Sequence, residues 1–312
     1  MRALVTGVAG FVGSAIARRL LAEGWSVVGV DALTDYYDVA LKRENLASLH
    51  GDVELHLEDL LDLDLDALLR GVDVVFHQAG QPGVRSSWGQ EFEVYLRRNV
   101  AVTQALLEAV RRSGRVHRLV YASSSSVYGD AERFPTSELD RPQPISPYGV
   151  TKLAAEHLCC TYASEFGLPA VSLRYFTVFG PGQRPDMAFT RFLTAAARGE
   201  EITLYGSGEQ VRDFTYVDDV VTANVLAATV PVKPGTVLNV AGGTNASINE
   251  VLDIVARLCG GRLAVQRLTR PQGDVARTGG DSSRARELLG WQPRVGLAEG
   301  LARQWEWVRG RM

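Results

Sequence analysis

The first 130 residues alternate short runs of β-branched residues with amphipathic stretches. A β-branched run predicts a buried strand, and an amphipathic stretch followed by glycine predicts a helix. The predicted strands are residues 3–5, 26–30, 53–56, 72–77 and 118–122. The predicted helices are residues 13–23, 67–70 and 94–113, which are followed by Gly24, Gly71 and Gly114. Regular alternation of strand and helix predicts an α/β fold with a doubly wound parallel sheet.

A second part of the pattern begins at Ser146-Pro147, which predicts a helix start with serine as the N-cap. This helix is predicted to run to about Phe166, just before Gly167. Further strands are predicted at residues 170–175, 202–205 and 237–240, and further helices at 189–198 and 297–309. The loop 179–185 is rich in glycine and proline, so we expect the chain to leave the sheet there. The predicted domains are 1–178, with a returning segment at about 214–243, and a smaller lobe made of 179–213 and 244–312.

The composition limits the classes of binding partner that are expected. The 312 residues are 46% hydrophobic, and 33 basic and 36 acidic residues give a net charge of −3 without a basic stripe. Nucleic acid and anionic membranes are therefore not the expected partners. The 3 cysteines lack metal-like spacing, which indicates a reducing, cytoplasmic location and no metal site. Because the chain enters a strand directly after Met1 and has no long apolar run, neither a signal peptide nor a membrane helix is expected.

Three glycines follow the first predicted strand. Gly7, Gly10 and Gly13 form G-x-x-G-x-x-G at a strand–turn–helix junction, where they allow a tight turn and close backbone approach to a pyrophosphate. Asp31 follows the second strand, where a carboxylate accepts hydrogen bonds from a ribose 2′-hydroxyl and repels a 2′-phosphate. The next basic residue, Lys42, is interpreted as too distant for a phosphate partner. The predicted cofactor is therefore NAD.

A Tyr-x-x-x-Lys pair lies on the helix that begins at Pro147. Tyr148 and Lys152 are about one turn apart, so both side chains share one helix face. A lysine ammonium and the positive helix end should favour the phenolate and lower the pKa of the tyrosine. The serines at 123–126 end a predicted strand, and ligands of open parallel sheets bind at such ends. These hydroxyls are expected to hydrogen-bond both a substrate hydroxyl and the phenolate.

Together, the glycine pattern, Asp31 and the Tyr148/Lys152 pair resemble the extended short-chain dehydrogenase/reductase family over nearly the whole chain. The resemblance implies a Rossmann-type domain with a smaller C-terminal α/β lobe for a nucleotide sugar, NAD held through turnover, and often a homodimer. It implies that Ser124, Tyr148 and Lys152 are catalytic. The implied cofactor contacts are Gly7, Gly10, Phe11, Val12, Gly13, Asp31, Asp59, Leu60, Gln78, Ala79, Gly80, Asn99, Tyr148, Lys152 and Tyr175.

Narrower motifs at 36–43, 82–88, 176–181 and 184–189 look like those of UDP-glucuronate 4-epimerases. UDP-glucose 4-epimerases typically carry asparagine at the position of Thr177. Sugar decarboxylases and dehydratases of the family carry an acidic residue where Ser125 or Ser126 stands. The resemblance therefore favours NAD-dependent 4-epimerisation of a UDP-sugar acid. A UDP-glucose 4-epimerase, a decarboxylase or dehydratase, and a non-catalytic NAD-sensing regulator stay open as alternatives.

Substrate contacts carry over from the same resemblance. Arg191, Arg212 and Arg270 are expected to bind the diphosphate and uridine, because guanidinium forks suit phosphate oxygens, although each could instead form a surface salt bridge. Tyr205 is expected to stack on uracil. Ser125, Ser126 and Thr177 are expected to hold the sugar carboxylate, with Arg85 or Arg184 steadying the loops. The complete predicted set is Arg85, Ser125, Ser126, Thr177, Arg184, Met187, Phe189, Arg191, Tyr205, Arg212 and Arg270.

Overall fold

A parallel sheet runs through the centre of the protein. The computed structural model describes residues 1–269 and 273–312. The strands are Arg2–Thr6 (β1), Ser26–Val30 (β2), Val53–His56 (β3), Val74–His77 (β4), Arg118–Ser124 (β5), Ala170–Tyr175 (β6), Thr177–Phe179 (β7), Ile202–Tyr205 (β8), Val211–Tyr216 (β9), Thr236–Val240 (β10), Thr244–Ser247 (β11) and Val265–Leu268 (β12). Seven of them form the central sheet in the order β10-β6-β5-β4-β1-β2-β3, and all neighbours are parallel. The predicted doubly wound α/β fold is confirmed.

Helices cover both faces of this sheet. They are Phe11–Ala22 (α1), Val39–Ala47 (α2), Leu65–Leu68 (α3), Phe92–Tyr95 (α4), Val102–Ser113 (α5), Pro147–Phe166 (α6), Ala188–Arg198 (α7), Val217–Thr229 (α8), Ile248–Cys259 (α9), Ser283–Leu289 (α10) and Leu297–Arg309 (α11). The predicted helix 94–113 is interrupted, because a π-helical segment, Leu96–Ala101, joins α4 to α5. Among the described residues, no helix has the length and apolar character needed to cross a membrane.

The start and end of α6 follow the sequence prediction. The Ser146 side chain accepts a hydrogen bond from the Gly149 backbone N–H at 3.1 Å, as an N-cap serine should. Pro147 occupies the first helical position, and Gly167 ends the helix in the left-handed region at φ +65°. This fixes where α6 begins, and therefore where Tyr148 stands relative to the sheet.

Two small sheets lie outside the central one. A three-stranded sheet has the order β11-β9-β7, and a two-stranded sheet pairs β12 with β8. In the region predicted to return to the first domain, β10 joins the central sheet, whereas β9 belongs to the three-stranded sheet. Helix α8 packs against α1 and against β5 and β6. One hydrophobic core cluster runs from β1 and α1 through to α7, α9 and α11, so the small sheets share a core with the central one.

Candidate active site

A cavity of about 810 Å³ runs along the carboxyl ends of the central strands and onto the small sheets. Its size is typical of a cofactor or small-molecule site. Nearly all predicted site residues line it. On the cofactor side these are Gly7, Gly10, Phe11, Val12, Gly13, Asp31, Asp59, Leu60, Gln78, Ala79, Gly80, Ser124, Tyr148, Lys152 and Tyr175. On the other side they are Arg85, Ser125, Ser126, Thr177, Arg184, Met187, Arg191, Tyr205 and Arg212.

In the glycine turn between β1 and α1, the backbone segments lie too close together for any side chain. Gly7 has φ +68°, and a Cβ there would lie 2.8 Å from the Ala79 backbone nitrogen. A Cβ on Gly13 would lie 2.1 Å from the Gly7 carbonyl oxygen. Gly10 is the N-cap of α1 and offers no side-chain cap, so the first N–H groups of the helix remain donors for a ligand. This cradle fits the pyrophosphate of a dinucleotide.

Asp31 is held rigidly at the edge of the cavity. Its carboxylate accepts hydrogen bonds from the backbone N–H groups of Ala9 at 3.0 Å and Leu33 at 2.8 Å. The interpretation of Lys42 as distant is wrong, because α2 folds back and brings Lys42 into the cavity wall. The Lys42 ammonium donates to the Thr34 hydroxyl at 3.1 Å, and burial lowers its pKa while the charge of Asp31 raises it. The preference for NAD over NADP therefore rests on Asp31 alone.

Ser124 and Tyr148 meet at the end of β5 and the first turn of α6. Burial raises the pKa of the Tyr148 phenol, whereas a hydrogen bond with Ser124 and the charge of Arg184 lower it. The lowered pKa that the sequence predicted for this tyrosine is thus outweighed by desolvation in the structure as it stands. The Tyr148 ring also lies edge-on to Tyr95, with centroids 6.3 Å apart, which fixes its orientation. The pair can exchange a proton with a hydroxyl bound beside it.

Lys152 lies one helical turn beyond Tyr148 and is 7% exposed. Burial lowers the pKa of its ammonium to about 8. A Cβ on Gly80 would lie 3.7 Å from the Lys152 nitrogen and 2.8 Å from the Asn99 amide oxygen. Glycine at this position therefore lets the loop lie close to both side chains. Lys152 is therefore placed to donate hydrogen bonds into the cofactor side of the cavity.

Two predicted contacts are corrected by the structure. Asn99 lies behind the cavity wall, where its side chain accepts from the Gln81 N–H at 2.7 Å and donates to the Thr151 hydroxyl at 3.0 Å. Phe189 is only 2% exposed, because its ring packs 4.7 Å from that of Phe214 in the core. Asn99 thus supports the loop at 79–82 rather than lining the cavity, and the Phe189 side chain does not face a ligand. Arg270 lies outside the described residues.

The far end of the cavity is strongly basic. The Arg85 guanidinium lies 4.3 Å from the centroid of the Tyr205 ring, and that of Arg191 lies 5.7 Å from it. Both guanidinium groups thus lie beside the Tyr205 ring, which also lines the cavity, and the stacking of this ring on uracil stays a prediction. Arg212 pairs with Asp274 and donates to the Val275 carbonyl at 2.6 Å. In the described residues, neither Arg85 nor Arg191 forms a salt bridge, so both charges are available to an anionic ligand.

Several residues that line the cavity were not among the predicted site residues. They come from loops or irregular turns, and they include Thr34, Tyr36, Tyr37, Gln81, Pro82 and Asp274. Tyr36 is notable because a Cβ on Gly83 would lie 2.3 Å from its hydroxyl oxygen, so a glycine with φ +104° lets the two loops meet. Periodicity cannot indicate such residues, since a loop has no repeating face.

The chain matches one family model and is similar to three known proteins. The family model described as "NAD dependent epimerase/dehydratase family" matches residues 3–241. The chain is 38% identical to the UDP-glucuronate 4-epimerase of Thermodesulfobacterium geofontis, covering 98% of this chain and 95% of that one. It is similar to the crystal structure of a Bacillus cereus UDP-glucuronic acid 4-epimerase in complex with UDP-glucuronic acid and NAD, at 40% identity, full coverage of both chains and a TM-score of 0.96. It is also similar to MoeE5, solved with UDP-glucuronic acid and NAD, at 44% identity, full coverage of both chains and a TM-score of 0.91.

Proposed function

This chain belongs to the NAD-dependent epimerase/dehydratase family, and from that premise we propose that it is an epimerase that interconverts UDP-glucuronate and UDP-galacturonate. The observation that carries the proposal is the union, in one cavity, of a dinucleotide cradle, the Ser124/Tyr148/Lys152 set and a sugar end with hydroxyls at Ser125 and Ser126. The proposal includes an NAD-binding part, residues 1–178 with about 214–243, and a UDP-sugar lobe made of 179–213 and 244–312.

The residues of this chain would handle the proton at O4. NAD, when bound in the glycine cradle, supplies the acceptor for the C4 hydrogen, and its positive ring favours the phenolate of Tyr148. Tyr148 removes the O4 proton while Ser124 hydrogen-bonds to the same oxygen. After the 4-keto sugar has presented its other face, Tyr148 returns the proton. Lys152 keeps a positive charge beside the phenolate, and no external oxidant is consumed.

A uronic acid adds a hazard, because its 4-keto form is a β-keto acid that loses CO2 when the bond to the carboxylate aligns with the carbonyl. We propose that Ser125, Ser126 and Thr177 hold the carboxylate in an unreactive orientation through charge-assisted hydrogen bonds. The available charges of Arg85 and Arg191 suit the diphosphate of the same ligand. A hydroxyl at positions 125 and 126 can bind the carboxylate without transferring a proton. An acidic residue there could instead support decarboxylation or dehydration.

A second candidate is epimerisation of a neutral UDP-hexose. One observation favours it: MoeE5, 44% identical, has also been solved with UDP-glucose and NAD. The hydroxyls of Ser125, Ser126 and Thr177 can hydrogen-bond a C6 hydroxyl as well as a carboxylate. The two candidates differ in the charge at C6 and share the catalytic set.

We also propose a cytoplasmic homodimer. Apolar side chains of α6 and the neighbouring π-helical segment are exposed, with Val150 at 47%, Phe166 at 57% and Leu96 at 43%. Contact with a second copy would remove such side chains from water. Light scattering coupled to size exclusion tests this: a mass of one chain contradicts the dimer.

The proposed activity is tested by incubating the purified protein with UDP-glucuronate or UDP-glucose and following the anomeric protons by NMR. Conversion of UDP-glucuronate to UDP-galacturonate supports the proposal. Release of a UDP-pentose and CO2 contradicts the proposed role of Ser125, Ser126 and Thr177 in holding the carboxylate. Conversion of UDP-glucose alone favours the second candidate. No turnover of either sugar, even with added NAD, would favour an NAD-sensing regulator. Tyr148→Phe, which keeps the ring packed on Tyr95, is the matched inactive control.

A further inference from the structure

The side chain of Lys152 is buried, so its positive charge has to be stabilised by a neighbouring group. Lys152 is 7% exposed, and its ammonium borders the cavity beside the loop at Gly80. Burial of an ammonium without compensation favours loss of its proton. Since the proposed function requires a charged Lys152 beside Tyr148, some neighbouring group has to stabilise the charge.

The carboxylate that acts on the charge of Lys152 is engaged elsewhere. Glu156 lies one turn beyond Lys152 on α6, and Arg174 on β6 donates to its two oxygens at 2.6 and 2.9 Å. The Ser123 hydroxyl donates to the same carboxylate at 2.6 Å. Glu156 still raises the pKa of Lys152, but its carboxylate is already paired with the buried guanidinium of Arg174. A carboxylate in a two-pronged arginine pair is a weak partner for a second cation.

The other titratable groups facing Lys152 are held neutral. His77 on β4 is enclosed between the hydroxyls of Thr6 and Thr103, and burial lowers its pKa to about 3. Burial raises the pKa of the Cys159 thiol on α6. Burial also raises the pKa of the Tyr148 phenol. None of these groups offers a fixed negative charge to the ammonium at neutral pH.

The remaining group is the ring of Tyr121 on β5. The Lys152 nitrogen lies 4.8 Å from the centroid of this ring, and Tyr121 is 1% exposed. Burial raises the pKa of its phenol well above the usual range, so the ring stays neutral with an intact π face. Within the described residues, the Tyr121 hydroxyl has no hydrogen-bond partner. The contact between the ring face and the ammonium, rather than the hydroxyl, therefore gives this residue its role.

We propose that Tyr121 is a positioning residue for Lys152, whose ring face holds the ammonium in its charged form at the cofactor side of the cavity. The inference rests on the proposed function, which requires a charged Lys152 beside Tyr148. In this chain, a buried lysine is stabilised by an aromatic face because its neighbouring carboxylate is already paired. The hydroxyl is dispensable and the π face is not.

The test compares Tyr121→Phe, which keeps the ring face, with Tyr121→Leu, which removes it, by the pH profile of kcat. Tyr121→Phe is expected to stay within about twofold of wild type. In Tyr121→Leu the ammonium is less stabilised and its pKa falls, so the alkaline limb of kcat should move by about one pH unit to lower pH. Melting temperatures of both variants separate this effect from general destabilisation.

Fluorinated phenylalanines at position 121 carry the test if Tyr121→Leu fails to fold. They keep the shape while weakening the ring quadrupole, so the alkaline limb should move progressively with fluorine content. A wild-type pH profile in Tyr121→Leu or across the fluorinated series overturns the proposal, as does an equal loss in Tyr121→Phe and Tyr121→Leu. Failure of the wild-type protein to turn over UDP-glucuronate would instead count against the proposed function. The titration of Lys152, followed by NMR of its labelled side chain, would then compare the variants without turnover.

Discussion

Replacing Gly13 with alanine tests whether the glycine turn is the cofactor cradle. The added Cβ would lie 2.1 Å from the Gly7 carbonyl oxygen and 2.8 Å from its carbonyl carbon, both of which are backbone atoms. Carbon and its neighbours prefer separations of about 3.5 Å, so the turn would have to open by more than about 1 Å. Overpacking of this kind costs about 1–3 kcal/mol of folding stability. A displacement of about 1 Å at a ligand site lowers turnover by about 100-fold.

The assay for Gly13→Ala measures three quantities in parallel: the melting temperature, the NAD released from the denatured protein, and the epimerisation rate with and without added NAD. We expect a moderate fall in melting temperature with a much larger fall in bound NAD. Gly261→Ala is the matched control, because a Cβ there meets no atom within 4 Å and its φ lies outside the left-handed region. Gly13→Ala with wild-type NAD content and rate would refute the assignment of this turn to the cofactor.

Three further predictions concern Thr177, Glu156 and His77. Thr177→Ala should lower the epimerisation rate or release a UDP-pentose with CO2, which NMR of the products would show. The wild-type product, pure and formed at the wild-type rate, would contradict the role of Thr177 in holding the carboxylate. Glu156→Gln should cost about 3–5 kcal/mol in denaturant unfolding, because it leaves Arg174 buried without its charge partner; a loss below about 1 kcal/mol would contradict it. Burial lowers the pKa of His77 to about 3, below its unfolded value, so its contribution to stability is present above about pH 6.5 and is lost as the pH falls towards 3. His77→Asn should therefore flatten the pH dependence of unfolding in that window, and an unchanged slope would count against it.

Much of the fold is visible in local sequence signals. Helix α6 was predicted at both ends because Ser146-Pro147 and Gly167 determine backbone geometry by themselves. Helix α9 was not predicted, although Ser247 and Glu250 form a capping box that could have indicated its start. The π-helical segment before α5 left no local signal, since its residues continue the apolar pattern of a helix.

The candidate site was predictable where chemistry and position coincide, as at Gly7, Asp31, Tyr148 and Lys152. It was not predictable where long-range packing decides. Lys42 reaches the cavity only because α2 folds back. The ion pair between Glu156 and Arg174 depends on the packing of α6 against β6. Such relations come from tertiary contacts that the periodicity of a single sequence does not contain.

In the proposed mechanism, the C4 hydrogen leaves the sugar and returns to the same carbon within one cavity. The most direct measurement uses UDP-glucuronate labelled with deuterium at C4, incubated with the purified protein and unlabelled water, with no cofactor added. We expect UDP-galacturonate that retains the deuterium at C4, in a stable mixture with the starting sugar and without release of CO2. Loss of the label to solvent, or a UDP-pentose as the product, would contradict it.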